Sequence, residues 1–394
     1  MVKYKNILIN LQVLTLFLIP LTPHFVITTN FHTDDIPVFL FLIFFLINIY
    51  LGIINSLFTK QLIPFLIFIL YIAIQNIFLN DSLFFSDLIR YIFYLLILIF
   101  VLNVQNQINF KSNYFLLFVI LSIFSILFYF FKIDLGTDSY NYWNIGFNSN
   151  QWIFTEGRMN GFQAGGPNAF GGLIASLTLY CLSAHNEFNR NFIIVFGTLA
   201  CFFTYSRGAL IVLSFFLMLY LINSKNYISI FIFLLSLLFC SIFGLVDRFT
   251  SEVETEGIED RMQMQQATFT NFSDRTVYEN IFGYGFNNYG IVRDTVQNIN
   301  EFDENLRPTG PHNSFLFIIL NYGFLGLILF LNIFIRQFII FVKSFNRSII
   351  KPEYLFLGSF VALSFSGDFI QNHSISVLFF FTLFVLIGEE SKKY

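Results

Sequence analysis

The chain has 394 residues, of which 56% are hydrophobic and only 11% charged, with a net charge of -3 at neutral pH. A soluble domain carries about 25% charged residues, so this chain lacks the charge to solvate a water-facing surface, and its 59 phenylalanines exceed what one soluble core could hide. These proportions exclude a soluble enzyme and a disordered chain, and the lack of a basic excess excludes a nucleic-acid binder.

A helix crossing hydrocarbon needs about 20 apolar residues. The chain offers about twelve such stretches (range 10–14): roughly 6–26, 36–55, 62–79, 88–104, 113–131, 162–184, 191–205, 207–223, 227–246, 313–341, 353–370 and 374–388. The first follows Met1-Val2-Lys3-Tyr4-Lys5 and looks like a signal peptide without a small-x-small cleavage site, so it reads as an uncleaved transmembrane helix. The tightest connection is Tyr205-Ser206-Arg207-Gly208, and no internal repeat is visible. The expected fold is an all-α polytopic membrane protein, one integral domain over 1–394, with a medium extracytoplasmic loop at 132–161 and a large one at 247–312. Cys181, Cys201 and Cys240 all fall inside apolar runs, which offers neither a loop disulfide nor a metal-ligand spacing.

With both termini cytoplasmic, every carboxylate except Glu187, Glu353, Glu389 and Glu390 falls outside. The basic residues also divide by type. Lysines dominate inside, whereas Lys132 outside is accompanied by Arg90, Arg158, Arg207, Arg248, Arg261, Arg275, Arg293 and Arg307. Lysine suffices to orient a helix, but arginine supplies a planar, permanently charged fork suited to phosphate oxygens. The outer face is therefore suited to an anionic ligand, or to pairing with its own carboxylates.

Four places set a strong polar group against a span boundary. Glu156-Gly157-Arg158-Met159-Asn160-Gly161, followed by Gly165-Gly166-Pro167-Asn168, permits close backbone approach to an anion, or simply a tight helix start. Arg207 lies between two spans with almost no loop to release it into water, where a functional role or snorkelling to the interface would account for it. Pro311-His312-Asn313-Ser314 opens a long span, and the partial positive charge of a helix start suits an imidazole that accepts a proton; the bland alternative is a surface histidine. Arg261 and Arg275 precede Gly283-Tyr284-Gly285 and either reach over the membrane surface or neutralise the acidic loop. Asp368 and Arg90 are explained by pairing within a bundle, and His24, His32, His185 and His373 show no ligand spacing. No paired-carboxylate motif or D-x-D signature lies nearby, so arginines would neutralise a bound phosphate with no metal or cofactor.

In chain order, GRMNGFQAGGPNAFGGLIAS, TYSRGALIVL, GYGFNNYG and PHNSFLFIILNYGFLGLILFL resemble the O-antigen polymerase and O-antigen ligase superfamily of bacterial membrane glycosyltransferases. The ordered set carries the resemblance over roughly 155–345, while residues 1–130 match only as apolar spans. The resemblance implies a helical fold of the lipid-linked-sugar glycosyltransferase (GT-C-like) type, in the bacterial inner membrane with its active site facing the periplasm. The implied donor and acceptor are oligosaccharides on undecaprenyl pyrophosphate, with membrane lipid and a chain-length regulator membrane protein as further partners. Carried over by position, Arg158 and Arg207 would neutralise pyrophosphate, His312 would orient or deprotonate the acceptor hydroxyl, and Asn168 and Asn313 would shape the site. Arg261 and Arg275, 22 and eight residues before Gly283, both remain as the loop arginine. Polymerase is the first expectation, favoured by an idiosyncratic phenylalanine-rich composition and two substantial outer loops, with ligase second. A lipid-linked oligosaccharide flippase is third, because transporters place polar groups near the midplane in paired broken helices, and here the charges gather at the outer boundary.

Overall fold

Long runs of Phe, Leu and Ile in an apolar setting satisfy their backbone groups only within helices or closed barrels, and this chain forms helices. A computed structural model describes residues 2–22, 26–28, 31–33, 35–79, 84–104, 110–131, 166–184, 187–242, 252–285, 311–344, 350–367, 369–370 and 372–391. In chain order its helices are α1 (Val2–Leu18), α2 (Asp35–Tyr50), α3 (Ile63–Leu79), α4 (Phe84–Val104), α5 (Phe110–Phe131), α6 (Gly166–Ala184), α7 (Glu187–Phe203), α8 (Arg207–Asn223), α9 (Tyr227–Ile242), α10 (Glu252–Asp274), α11 (Val277–Phe282), α12 (Ser314–Ser344), α13 (Pro352–Ser364) and α14 (His373–Ser391). A short antiparallel ribbon pairs Val26–Thr28 with Phe31–His32.

All but α10 and α11 coincide with the twelve apolar stretches of the sequence. Among the described residues, Tyr4–Leu21, Lys60–Leu79, Phe110–Leu127 and Ser314–Lys343 are long and apolar enough to cross a membrane. Six further apolar helices are shorter, from Asn189–Phe203 to Arg207–Asn223 in length.

Helix α6 packs against α5, α7, α8 and α13. Its small residues make that possible: a Cβ at Gly172 would run into the Phe369 ring, and Ser176 meets Ser359 of α13 at 2.9 Å. Small residues and hydroxyl bridges are the means by which apolar helices approach closely where water gives no driving force. Helix α14 is buried almost all round, with Phe380 stacked on Tyr94 at 4.3 Å and Phe379 on Phe360 at 4.6 Å. At one end of the bundle Lys351 pairs with Glu389, Arg336 Nε meets Glu390 Oε2 at 3.1 Å, and Ser183 donates to the Ile350 carbonyl.

Helix α12, expected as one continuous span, is broken at Gly323, whose φ of 66° and ψ of -177° are open only to glycine. The break turns the helix aside. A straight helix from Phe341 to Asn313 would run about 42 Å. Neighbouring α13 bridges the same two levels in about 17 Å, from Tyr354, stacked on Phe341, to Phe365, whose carbonyl Asn313 reaches. From Ser314 to Gly323 no residue is exposed, whereas Phe324, Ile328, Ile335, Phe338, Ile339 and Val342 beyond it are exposed. Helix α10 is polar and buries Met264, Thr268 and Asn271, with Arg275 continuing the same face; Ala267 and Phe272 pack on Leu320 of the turned segment.

Candidate functional site

Two helix starts share a local design. At α8, Tyr205 takes a left-handed φ of 49°, Ser206 caps the helix by accepting from Ala209 N at 3.4 Å, and Arg207 is the first helical residue. At α12, His312 takes a φ of 48° and Asn313 is the cap, its Oδ1 accepting from the N–H groups of Phe315 and Leu316 at 3.0 and 3.1 Å. Lys225, at the other end of the bundle, has the same geometry ahead of Asn226, with a φ of 52°. The left-handed residue is therefore how this chain makes a tight helix start, and it does not by itself mark a site.

What brings the starts together is the turn Phe365–Gly367 after α13. Asn313 Nδ2 donates to the Phe365 carbonyl at 3.2 Å, Ser314 Oγ donates to the Gly367 carbonyl at 2.9 Å, and Ile370 N donates to Ser314 Oγ at 3.2 Å. On its other side, a Cβ at Gly208 would lie 3.2 Å from Ser366 Oγ, and Gly171 of α6 abuts Thr204, Ser206 and Ala209. Arg207, His312, Asn313 and the first turn of α6 with Asn168 thus gather on one rim of the bundle. Three helix N-termini there add partial positive charge to the Arg207 guanidinium. Asn313 spends its Oδ1 on the α12 cap and its Nδ2 on the turn, so it shapes the rim by holding backbone. Arg158 lies outside the described residues.

Arg275 occupies a second locus, where α10 ends against the break in α12. It is 7% exposed, its Nε donates to Asn271 Oδ1 at 2.7 Å, and its guanidinium sits 3.9 Å from the Tyr284 ring centroid and 4.9 Å from that of Phe272. Tyr284 lies over the guanidinium with its ring face and also favours its charge through the side-chain hydroxyl, while Nη1 and Nη2 meet no hydrogen-bond partner in good geometry among the described residues. Burial pushes this guanidinium below its usual range, and Tyr284 and Glu279 act against that shift. A buried fork with two idle nitrogens is costly unless something negative or hydrogen-bond accepting meets it. Arg261 lies on α10 about 21 Å away along the helix. Leu320, which accepts from Tyr284 N at 3.0 Å, is about 10 Å along the helix from Asn313. The two loci are therefore neighbours.

Sequence reasoning passed over several residues here: the Phe365–Gly367 turn, the break at Gly323, and Tyr71 and Gln75 of α3, which reach the junction from a region that matched only as apolar spans. A readable signal existed for α3, because Gln75-Asn76 interrupts an otherwise apolar helix.

Residues 192–331 match the family model described as O-antigen ligase. No curated protein matches the chain. The matched stretch contains Arg207, Arg261, Arg275, His312 and Asn313, and stops short of Arg158 and Asn168. Through that segment, which spans both the Arg207 turn and the Arg275 junction, this apolar helical chain is similar to the O-antigen ligase family over about a third of its length.

Proposed function

We propose that the chain is an O-antigen polymerase of the bacterial inner membrane, crossing it about twelve times with both termini cytoplasmic and acting at the periplasmic face. In this reading a hydroxyl at the non-reducing end of one lipid-linked repeat unit attacks the anomeric carbon of the growing glycan. The bond from that carbon to undecaprenyl pyrophosphate breaks, the proton passes to His312, and the pyrophosphate departs with its negative charge. Arg207 and Arg275, with Arg158 and Arg261 as further candidates, stabilise that charge, and His312 orients or deprotonates the nucleophile. The leaving group is already good, so arginines and one base suffice without a metal or cofactor.

The observation that carries this reading is the gathering of Arg207, His312 and Asn313 around one turn, inside the stretch that matches the family. The acceptor and donor would be undecaprenyl-pyrophosphate-linked oligosaccharides, and a chain-length regulator would be a membrane partner. The second reading, transfer to lipid A-core, is favoured by the description of the matching family as O-antigen ligase. The lipopolysaccharide pattern of a strain deleted for the gene separates them. Core carrying a single repeat unit means polymerase, and bare core with accumulated lipid-linked polymer means ligase. Bare core with units held on the cytoplasmic face would overturn both in favour of a flippase.

A further inference from the structure

The break in α12 deprives carbonyls of their helical donors, and α3 replaces those donors with side chains. Tyr71 OH donates to the Tyr322 carbonyl at 2.6 Å and lies 3.3 Å from the Phe282 carbonyl. Gln75 Nε2 donates to the Asn321 carbonyl at 2.7 Å and to the Phe282 carbonyl. The segment after α11 closes the same junction from its own backbone, with Tyr284 N donating to the Leu320 carbonyl at 3.0 Å and Gly285 N to the Asn321 carbonyl at 2.9 Å. Two glycines let the backbones meet: a Cβ at Gly283 would run into the Asn321 carbonyl, and one at Gly323 into the Ile281 carbonyl. Non-helical backbone among apolar helices is tolerated only where its polar groups are satisfied, and a glutamine inside an apolar helix is itself costly. The backbone cost is offset here by these contacts, which also engage the Gln75 amide nitrogen. Their acceptors are main-chain groups of the break and of the loop, so the contacts fix backbone position and not merely helix association.

The consequence reaches Arg275. Tyr284 is held by its N–H to Leu320, and its ring covers the Arg275 guanidinium at 3.9 Å. We propose that Tyr71 and Gln75 are positioning residues of the transfer site: by pinning Phe282–Gly285 to the break in α12 they hold Tyr284 against Arg275 and so set where Nη1 and Nη2 point. This rests on Arg275 being a substrate-binding arginine, as proposed above. It gives the N-terminal part of the bundle, outside the stretch that matches the family, a role in the chemistry.

The test uses purified full-length protein and lipid-linked repeat unit extracted from membranes of the deletion strain. Gln75→Leu and Tyr71→Phe should each lower transfer by about tenfold or more, the scale on which misplacing a binding group acts, and should speed hydrogen exchange at Tyr284 and Gly285. Asn76→Leu should leave transfer unchanged, since the Asn76 amide donates only to Ile72 within α3. In an Arg275→Lys background, Gln75→Leu should cost less than about twofold further, because residues acting through one group are non-additive. Additive losses, unchanged exchange at Tyr284 and Gly285, or an equal loss with Asn76→Leu would each reduce Tyr71 and Gln75 to helix glue and overturn the proposal. If Arg275→Lys alone leaves transfer intact, it is the substrate-binding role of Arg275 that fails. Tyr71→Phe removes one oxygen and keeps the ring, so it remains informative even if Gln75→Leu folds poorly.

Discussion

Arg207 is the first residue of α8, held there by a tight turn whose cap and glycine neighbours leave it little freedom to move. Lysine at that position would keep the charge and the helix start but lose the planar fork. Arg207→Lys should therefore fold normally and lower transfer by about 100-fold, the loss seen when one preorganised donor is removed from a developing charge. Normal polymer from that variant would remove the pyrophosphate role from Arg207. His312 poses a different problem, because its left-handed backbone confounds a simple alanine test. Asparagine tolerates that conformation and cannot act as a base, so His312→Asn separates backbone from chemistry. The expected result is a normal protein level with transfer reduced by about 100-fold or more. Long chains from His312→Asn would show that the imidazole is dispensable.

At the scale of elements, the junction of α10, α11 and α12 depends on glycine at two facing positions. Gly323→Ala would set a methyl against the Ile281 carbonyl in a backbone region closed to other residues. The variant should keep its helix content yet release α11 and accelerate exchange at Tyr284 and Gly285. Transfer should fall by about tenfold or more, and unchanged exchange would mean that Gly323 does not hold α11 against α12. This junction also shows what could be read in advance. The apolar helices were legible because each is a continuous hydrophobic run, and the cap at Asn313 because Pro-His-Asn-Ser before an apolar run is a helix-start pattern. The break at Gly323 was legible only in part: Asn321-Tyr322-Gly323 interrupts the apolar run, but the bend exists only because α3 and the segment after α11 satisfy the freed carbonyls. The cage of Arg275 was half legible: Asn271 is one helical turn back, but Tyr284 arrives through a turn that no periodicity announces.

Over the whole molecule, α8 and α13 span about 26 and 20 Å against the roughly 30 Å of hydrocarbon, and the start of α8 with Arg207 and the Phe365–Gly367 turn share one end of the bundle. The same shortness makes sidedness testable. Lys225 lies between α8 and α9, Val277 follows α9, and Lys343 ends α12, and all three are exposed. The native cysteines are buried, so single introduced cysteines give a clear signal. In spheroplasts, Val277→Cys should react with a membrane-impermeant maleimide, while Lys225→Cys and Lys343→Cys should react only after permeabilisation. Lys225→Cys and Val277→Cys reacting together would mean that the 16-residue α9 does not cross. Val277→Cys and Lys343→Cys reacting together would mean that α12, turned aside at Gly323, does not cross either. Reversal of all three would put the arginine rim in the cytoplasm, where a periplasmic polymerase could not use it.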